Sequence, residues 1–464
     1  MREATVTGDI DGDGWAQLGV ASFAKTKGPI SVTLQMEQKD KALSVFAGML
    51  DMNKAEMHVD EIGWSKPAAS AAKLTFTADV PNEGKVTIKS LEMTGPKISV
   101  KGDATLAANT HALETINLDP FIVGRTDAHL HFAQTAGDDG SLRFDVDGKS
   151  LDISGLHVDK DGDNKDAEKK TAPADQRPKE YHIKIDKLYT SDTGYMTDAK
   201  GYAVRDGDGW SAINFHGLAN GGPPLDIELV TKDDGHRIFA VNCEDFGMAL
   251  KGLGFTDTVM GGKLQITGAS TADKPELIEG KAEVGHFEVK DLPALVTLMN
   301  ATSPFGIFNL FTGTMAFDRL SGKFRWGDDQ VELIQVRAAG SSVGMNIDGK
   351  VDTNAGTANL HGTMAPFSLF NKVLGYIPII GNMLTGGENQ GVLAVNYTIT
   401  GTLNKPDVSV NPVSLLAPGF LRTLFFGGSS GSDDDTSAAP VDDGLDAKDQ
   451  APPVENNISR APKD

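Results

Sequence analysis

The sequence predicts a mainly β protein, an antiparallel meander of many short strands. Three observations carry this. Apolar and polar residues alternate over one short run after another, as in Leu74, Phe76, Ala78 and Val80 against Thr75, Thr77 and Asp79. Gly, Asn, Asp and Pro punctuate the runs, as at Pro81–Gly84. Helical spacing is confined to a few brief stretches. A period of two puts alternate side chains on opposite faces of a sheet, so each strand has one apolar and one wet face. With no long helices between strands, hairpins replace βαβ units.

The opening stretch contains Asp11-Gly-Asp-Gly-Trp15, and the same five letters return at Asp206-Gly-Asp-Gly-Trp210. Asp-Gly pairs between alternating runs mark tight turns, because glycine takes positive φ without steric cost. Each copy reads as a turn followed by a strand that begins at the Trp, and the pair hints at an internal duplication. Asp9, Asp11, Asp13 and Gly14 also resemble the start of a calcium loop. The twelfth position is Val20 where that loop needs a glutamate, so a solvated turn is the reading.

From Ile30 to Val146 the strands continue: Val32, Leu34 and Met36; Ala128, Leu130 and Phe132; Leu142, Phe144 and Val146. Asp127, His129 and His131 share the opposite face of one strand. That spacing allows chelation, but no further ligand is legible, and the ordinary reading is a wet strand face. Residues 159–179 are charged, contain prolines and lack periodicity, so they read as a linker between segments 1–158 and 180–279. In the second segment Tyr181, Ile183 and Ile185 alternate with His182 and Lys184, and Leu225, Ile227 and Leu229 with Asp226 and Glu228. Phe246–Leu253 is a short helix candidate, and Gly261-Gly262 is a turn or bulge device.

The region 280–426 opens with the strand-like run Lys281–Val289 and a helix candidate, Leu292–Met299. Val343, Met345, Ile347 and Val351 share one face, as do Leu393, Val395, Tyr397 and Ile399. Phe367, Phe370, Leu374 and Ile377 follow helical spacing up to Pro378, and Val413–Phe426 ends in Phe425 and Phe426. These apolar segments read as helices capping the sheet or, in the sharper alternative, as contacts with a membrane or partner. Residues 427–464 are rich in Asp, Pro and Ser and read as a disordered acidic tail.

Composition removes several function classes. The 464 residues carry a formal charge of −21 with no basic patch, which argues against a nucleic-acid partner. One cysteine, Cys243, forbids an intramolecular disulfide and multi-cysteine metal sites, and it reads as a packed thiol. No GxSxG, HExxH or cysteine–histidine arrangement is legible, and no phosphate loop occurs, so neither an enzyme, nor a cofactor, nor a bound metal is expected. No stretch of ~20 apolar residues forms a membrane span, and the first residues lack the apolar core of a signal peptide.

An apolar face on every strand can be buried in a sandwich, in a barrel or in a curled groove. Periodicity alone leaves the three open. In its closing region the chain resembles a known family, the AsmA-like C-terminal region of bacterial envelope proteins. The resemblance rests on the order of four segments: GHFEVKDLPALVTLMN, FDRLSGKFRWGDDQVEL, NIDGKVDTNAGTANLHGTMAP and YTITGTLNKPDVSVNP. It covers residues 280–426, about a third of the 464. It implies an elongated, curled, groove-like sheet with a few short helices near the C-terminal end, similar to the chorein-type bridge-like lipid transfer proteins. It further implies a phospholipid-binding protein on the periplasmic side of the bacterial inner membrane, carrying lipid between inner and outer membranes. Acyl chains would lie along Leu74, Phe76, Leu130, Phe132, Ile183, Ile185, Ile347, Val395 and Tyr397. The family usually begins with a membrane anchor, so this chain is expected to be an N-terminally shortened piece or to have a wrongly placed start. Membrane contact would then come from an absent anchor or from the C-terminal apolar segments. The alternative is a structural or assembly factor for outer-membrane biogenesis that acts through envelope protein partners.

Overall fold

A computed structural model describes residues 2–11, 25–38, 42–59, 64–108, 112–135, 140–157, 177–290, 314–366 and 395–411, apart from 208, 328, 342, 354 and 404. The helix candidates at 292–299 and 367–377, the Val413–Phe426 stretch and the acidic tail lie outside these residues. So do Phe367, Phe370, Leu374, Ile377, Phe425 and Phe426.

The described chain is dominated by one sheet of 22 strands. Its register pairs follow chain order, from Arg2–Ile10 at one edge to Lys405–Asn411 at the other. Every pairing is antiparallel except one. The strands Leu142–Asp152 and Lys179–Tyr189 run parallel, so the connection between them must retrace an 11-residue strand, about 36 Å at ~3.3 Å per residue. Residues 159–176 of the expected charged stretch lie outside the described residues, and Lys179, expected as its end, instead opens the strand. A parallel neighbour needs a long connection where a hairpin needs two residues.

The two margins of the sheet differ. At one, here the turn margin, every connection is short. The longest is residues 135–141, and Asp206–Gly209, Thr271–Lys274, Gly327–Gln330 and Thr402–Lys405 are two-residue turns. At the other, the insertion margin, the chain leaves the sheet and returns several times. Residues 52–72 carry the strands Glu56–Val59 and Trp64–Lys66, which form a small sheet with Lys25–Lys27. Residues 244–263 carry the helix Phe246–Gly252 and the strand Val259–Gly261. The latter joins Phe287–Val289 and Met315–Phe317 in a second small sheet.

Local chemistry explains these insertions. The helix is capped by Asp245, whose carboxylate accepts from the Met248 amide, and Lys251 sits in its last turn, where a cation suits the carbonyl end. It is the expected Phe246–Leu253 helix, one residue shorter. In the first small sheet Lys66 is almost fully buried, and its ammonium donates to the carbonyls of Ala55, Pro67 and Ser70 at 2.7, 3.0 and 2.8 Å. A buried charge persists only with such partners.

The sheet is curled, and its apolar face is the concave one. Arg205 and Asp329 form an ion pair at 3.6 Å. Their strands stand six pairings apart, which is about 29 Å across a flat sheet at ~4.8 Å per strand. Phe239 meets Trp326 with ring centroids 5.1 Å apart across three pairings. Register shifts such as that between Val204 and Arg205 supply the local bending.

Candidate functional site

Cross-strand register arranges the apolar face into rows that run along the groove, perpendicular to the strands. One row crosses all 22 strands. It begins Ala4, Met36, Phe46, Ala78, Ile88, Ala104, Ile116 and Phe132. It continues through Phe144, Tyr181, Ala203, Ile213, Leu229, Phe239, Gly268 and Gly280. It ends Phe324, Leu333, Gly349, Leu360, Ile399 and Val408. No charged side chain interrupts it. On the opposite face a row runs Lys184, Lys200, His216, Asp226, Asn242, Gln265, Glu283, Ser321, Arg337, Asn346 and Thr363 without one apolar residue.

A second apolar row lies nearer the middle of the strands: Val6, Leu34, Gly48, Phe76, Leu91, Gly102, Leu118, Leu130, Val146, Ile183, Gly201, Phe215 and Ile227. It runs on through Val241, Ile266, Ala282 and Gly322 and, beyond a register shift between Ser321 and Lys323, resumes as Val336, Ile347, Gly362 and Tyr397. The glycines have a steric reason. The Phe76 ring lies over Gly48, where a Cβ would strike it, and a Cβ at Gly362 would come 2.6 Å from the Tyr397 hydroxyl. Rings laid flat on a neighbouring glycine make a level floor and still pack. Tyr397 donates to the Asn346 carbonyl at 2.7 Å, and burial pushes its phenol above the ordinary value.

Burial differs across the groove. On the insertion side Ala128, Ile185, Met196, Leu225 and Val284 are at most 2% exposed, covered by the helix and the second small sheet. Ile30, Ile98, Val100 and Val123 are buried near the first small sheet, where Met57 and Trp64 pack against them. Along the middle row Phe76, Leu91, Leu118, Leu130, Val146, Ile183, Phe215 and Ile227 are half-buried, and Tyr181 on the turn-side row is exposed. Of these, Val146, Ile183, Phe215 and Ile227 pack against the insertion-side core and Leu91 and Leu118 against the cluster around Trp64, while Val336 and Tyr397 farther along the row are buried.

The expected groove residues sort onto this grid. Phe76, Leu130, Ile183, Ile347 and Tyr397 share the middle row, and Phe132 lies on the turn-side row. Leu74 and Ile185 share a third row, through Met93, Val100, Phe121, Ala128 and Gly148, on the covered side. Val395 pairs with Met364 at the start of its strand. Ile185 is fully buried, so it belongs to the covered core rather than to an open floor.

Sequence reasoning missed a cleft at the turn margin, lined by Trp210, Arg237, Glu276, Trp326 and Asp329 above Leu229 and Ile278. Trp210 reaches the concave face because Ser211 is skipped in the register, Val204 pairing with Ala212 and Arg205 with Trp210. Alternation counted through Ser211 puts this Trp on the wrong face. The strand also starts at Gly209, one residue before the expected Trp210. The repeated Asp-Gly-Asp-Gly-Trp was the available signal. An aromatic ladder, Phe132, Phe144, Tyr181 and Trp210, leads to this cleft with centroid spacings of 5.0, 5.1 and 6.0 Å.

The histidine pair lies on the wet face as expected. His129 contacts Asp119 and Asp147 at 3.3 Å, His131 bonds Asn117, and Asp127 is held by Lys149. Among the described residues no group of three or more His, Cys, Asp or Glu could hold a metal ion. Cys243 is buried, its thiol donates to the Asp245 carbonyl, and burial pushes its pKa up, so it is a packing residue. No described helix is long and apolar enough to cross a membrane. Comparison with known proteins returned no matching family model, no matching curated protein and no matching solved structure.

Proposed function

We propose that this chain binds phospholipid acyl chains along the concave apolar rows and conducts them across the bacterial cell envelope, between inner and outer membranes. One observation carries the reading: an uncharged row in register across the whole sheet, with half-buried residues such as Phe76, Leu130 and Phe144 along the concave face. A chain lying there gains ~0.8 kcal/mol for each methylene taken from water. Because the rows run along the groove, a lipid can slide from strand to strand and exchange like contacts for like. The headgroup stays wet at the turn margin. In this reading no residue is catalytic, and the resemblance of the closing region to AsmA-like proteins supports both the lipid and the envelope location.

A second reading is an assembly factor acting through protein contacts. The insertion-side rows favour it, since they are buried like an ordinary core. Native mass spectrometry of the purified chain, with lipid extraction, separates the two. Several copurified phospholipids per molecule are expected. A lipid-free chain that also takes up no added phospholipid would overturn the groove reading in favour of the assembly factor.

A further inference from the structure

The turn-margin cleft has a composition of its own. Its walls are the indoles of Trp210 and Trp326, and its floor is Leu229 and Ile278, 1% and 2% exposed. Its free space is about 340 Å³, counting the open mouth. The charges are asymmetric in their partners. Arg205 and Asp329 face each other at 3.6 Å. Arg237 donates to the Trp210 carbonyl at 2.9 Å and, among the described residues, forms no ion pair. Glu276, across the cleft, forms none either. Arg325, next to Trp326 in sequence, faces Glu279 at 2.7 Å.

We propose that this cleft recognises a zwitterionic amine–phosphate headgroup of the phosphoethanolamine type. The guanidinium of Arg237 suits a phosphate, with a fork geometry that a lysine lacks. Arg205 already sits 5.7 Å over the Trp210 ring, so Glu276 and the Trp326 indole are the groups that suit an ammonium, which is attracted to both a carboxylate and a ring. The charges of Arg205, Arg237, Glu276 and Asp329 sum to zero, so a net-anionic headgroup satisfies Arg237 and leaves Glu276 repelling it. A zwitterion satisfies both. The apolar floor continues into the turn-side row through Leu229, so a diacyl lipid anchored here would lay its chains on the groove. That last step rests on the lipid reading above; the headgroup chemistry does not.

The test is competitive loading. The full chain is incubated with vesicles holding equal amounts of phosphatidylethanolamine and phosphatidylglycerol with identical acyl chains, and bound lipid is extracted and weighed by class. In parallel, soluble glycerophosphoethanolamine is titrated calorimetrically. Wild type should enrich the ethanolamine lipid about fivefold, ~1 kcal/mol at 1.4 kcal/mol per tenfold. The ratio should fall to parity in Glu276→Gln and Arg237→Gln, and Arg237→Lys should retain part of it; unchanged melting curves confirm that each variant is folded. Equal loading of the two lipids by wild type overturns the headgroup site and leaves the groove reading standing. Binding of the soluble headgroup, lost in Arg237→Gln, with no lipid uptake supports the cleft and overturns the groove. Failure of all three probes overturns both.

Discussion

The two margins of this sheet carry the same kind of strand and finish it differently. At the insertion margin the chain adds a helix and two small sheets on the concave face, and Met196, Leu225 and Val284 beneath them are as buried as any protein core. At the turn margin the connections are short, and residues of equal hydrophobicity such as Phe132, Phe144 and Ile213 remain half-exposed, except around the cleft, where Leu229, Ile278 and Phe324 are buried. Alternation within a strand makes an apolar face but does not cover it. Covering requires chain from elsewhere, and the long connections place that chain on one side only. The result is a groove walled along the insertion flank and closed at the turn flank only where Leu229, Ile278 and Phe324 cluster under the Arg205–Asp329 pair.

The comparison breaks most visibly by charging each flank. Leu225→Asp puts an unpaired carboxylate under the helix. The cost should be about 4 kcal/mol or more, with loss of cooperative unfolding in a urea titration. Phe76→Asp and Ile347→Asp charge the open middle row instead. These should stay folded and lose phospholipid uptake at least tenfold. Full uptake by a folded Phe76→Asp, Ile347→Asp double variant would sink the groove.

Smaller changes sharpen the picture of the floor. Gly48→Ala should displace the Phe76 ring and destabilise the chain by about 1–3 kcal/mol. Gly8→Ala, where a Cβ meets nothing within 4 Å, should be close to neutral by the same melting assay. An equal effect at both would remove the flat-ring explanation.

The smallest expected effect concerns acid. Asp152, beside the parallel junction, is held by Arg125 through Nε at 2.7 Å and Nη2 at 3.1 Å, and by Ser154. Burial pushes its carboxyl up, but the bonds from Arg125 and Ser154 outweigh this and hold it below the ordinary carboxylate value. A depressed folded pKa contributes stability that is present above the unfolded value, near ~3.9, and is lost as pH falls through the folded value. Asp152→Asn should therefore flatten the loss of stability below about pH 4. Arg125 is partly exposed, which keeps the effect small. An acid limb as steep in Asp152→Asn as in wild type would exclude this pair as a contributor.

Much of the floor was legible because it depends on period two alone. Phe76, Leu130, Ile183 and Ile347 were named from alternation, and register then placed them on one row. The middle-row residues Leu118 and Phe215 could have been found by the same counting. Trp210 could not, because a skipped residue at Ser211 inverts the count, and bulges leave no mark in composition. Nor could the parallel junction, since the charged stretch at 159–179 reads as a linker whichever way the chain returns.

Sequence by itself determined which side chains share a face, since successive Cβ atoms of an L-peptide strand point to opposite sides whatever the strand pairs with. The tertiary structure alone decided how far the sheet curls, which rows are walled over, and that Arg237 and Glu276 line one cleft with two indoles. Those contacts join strands up to five pairings apart, and their distances depend on twist and bending accumulated over every strand between, which no local pattern records.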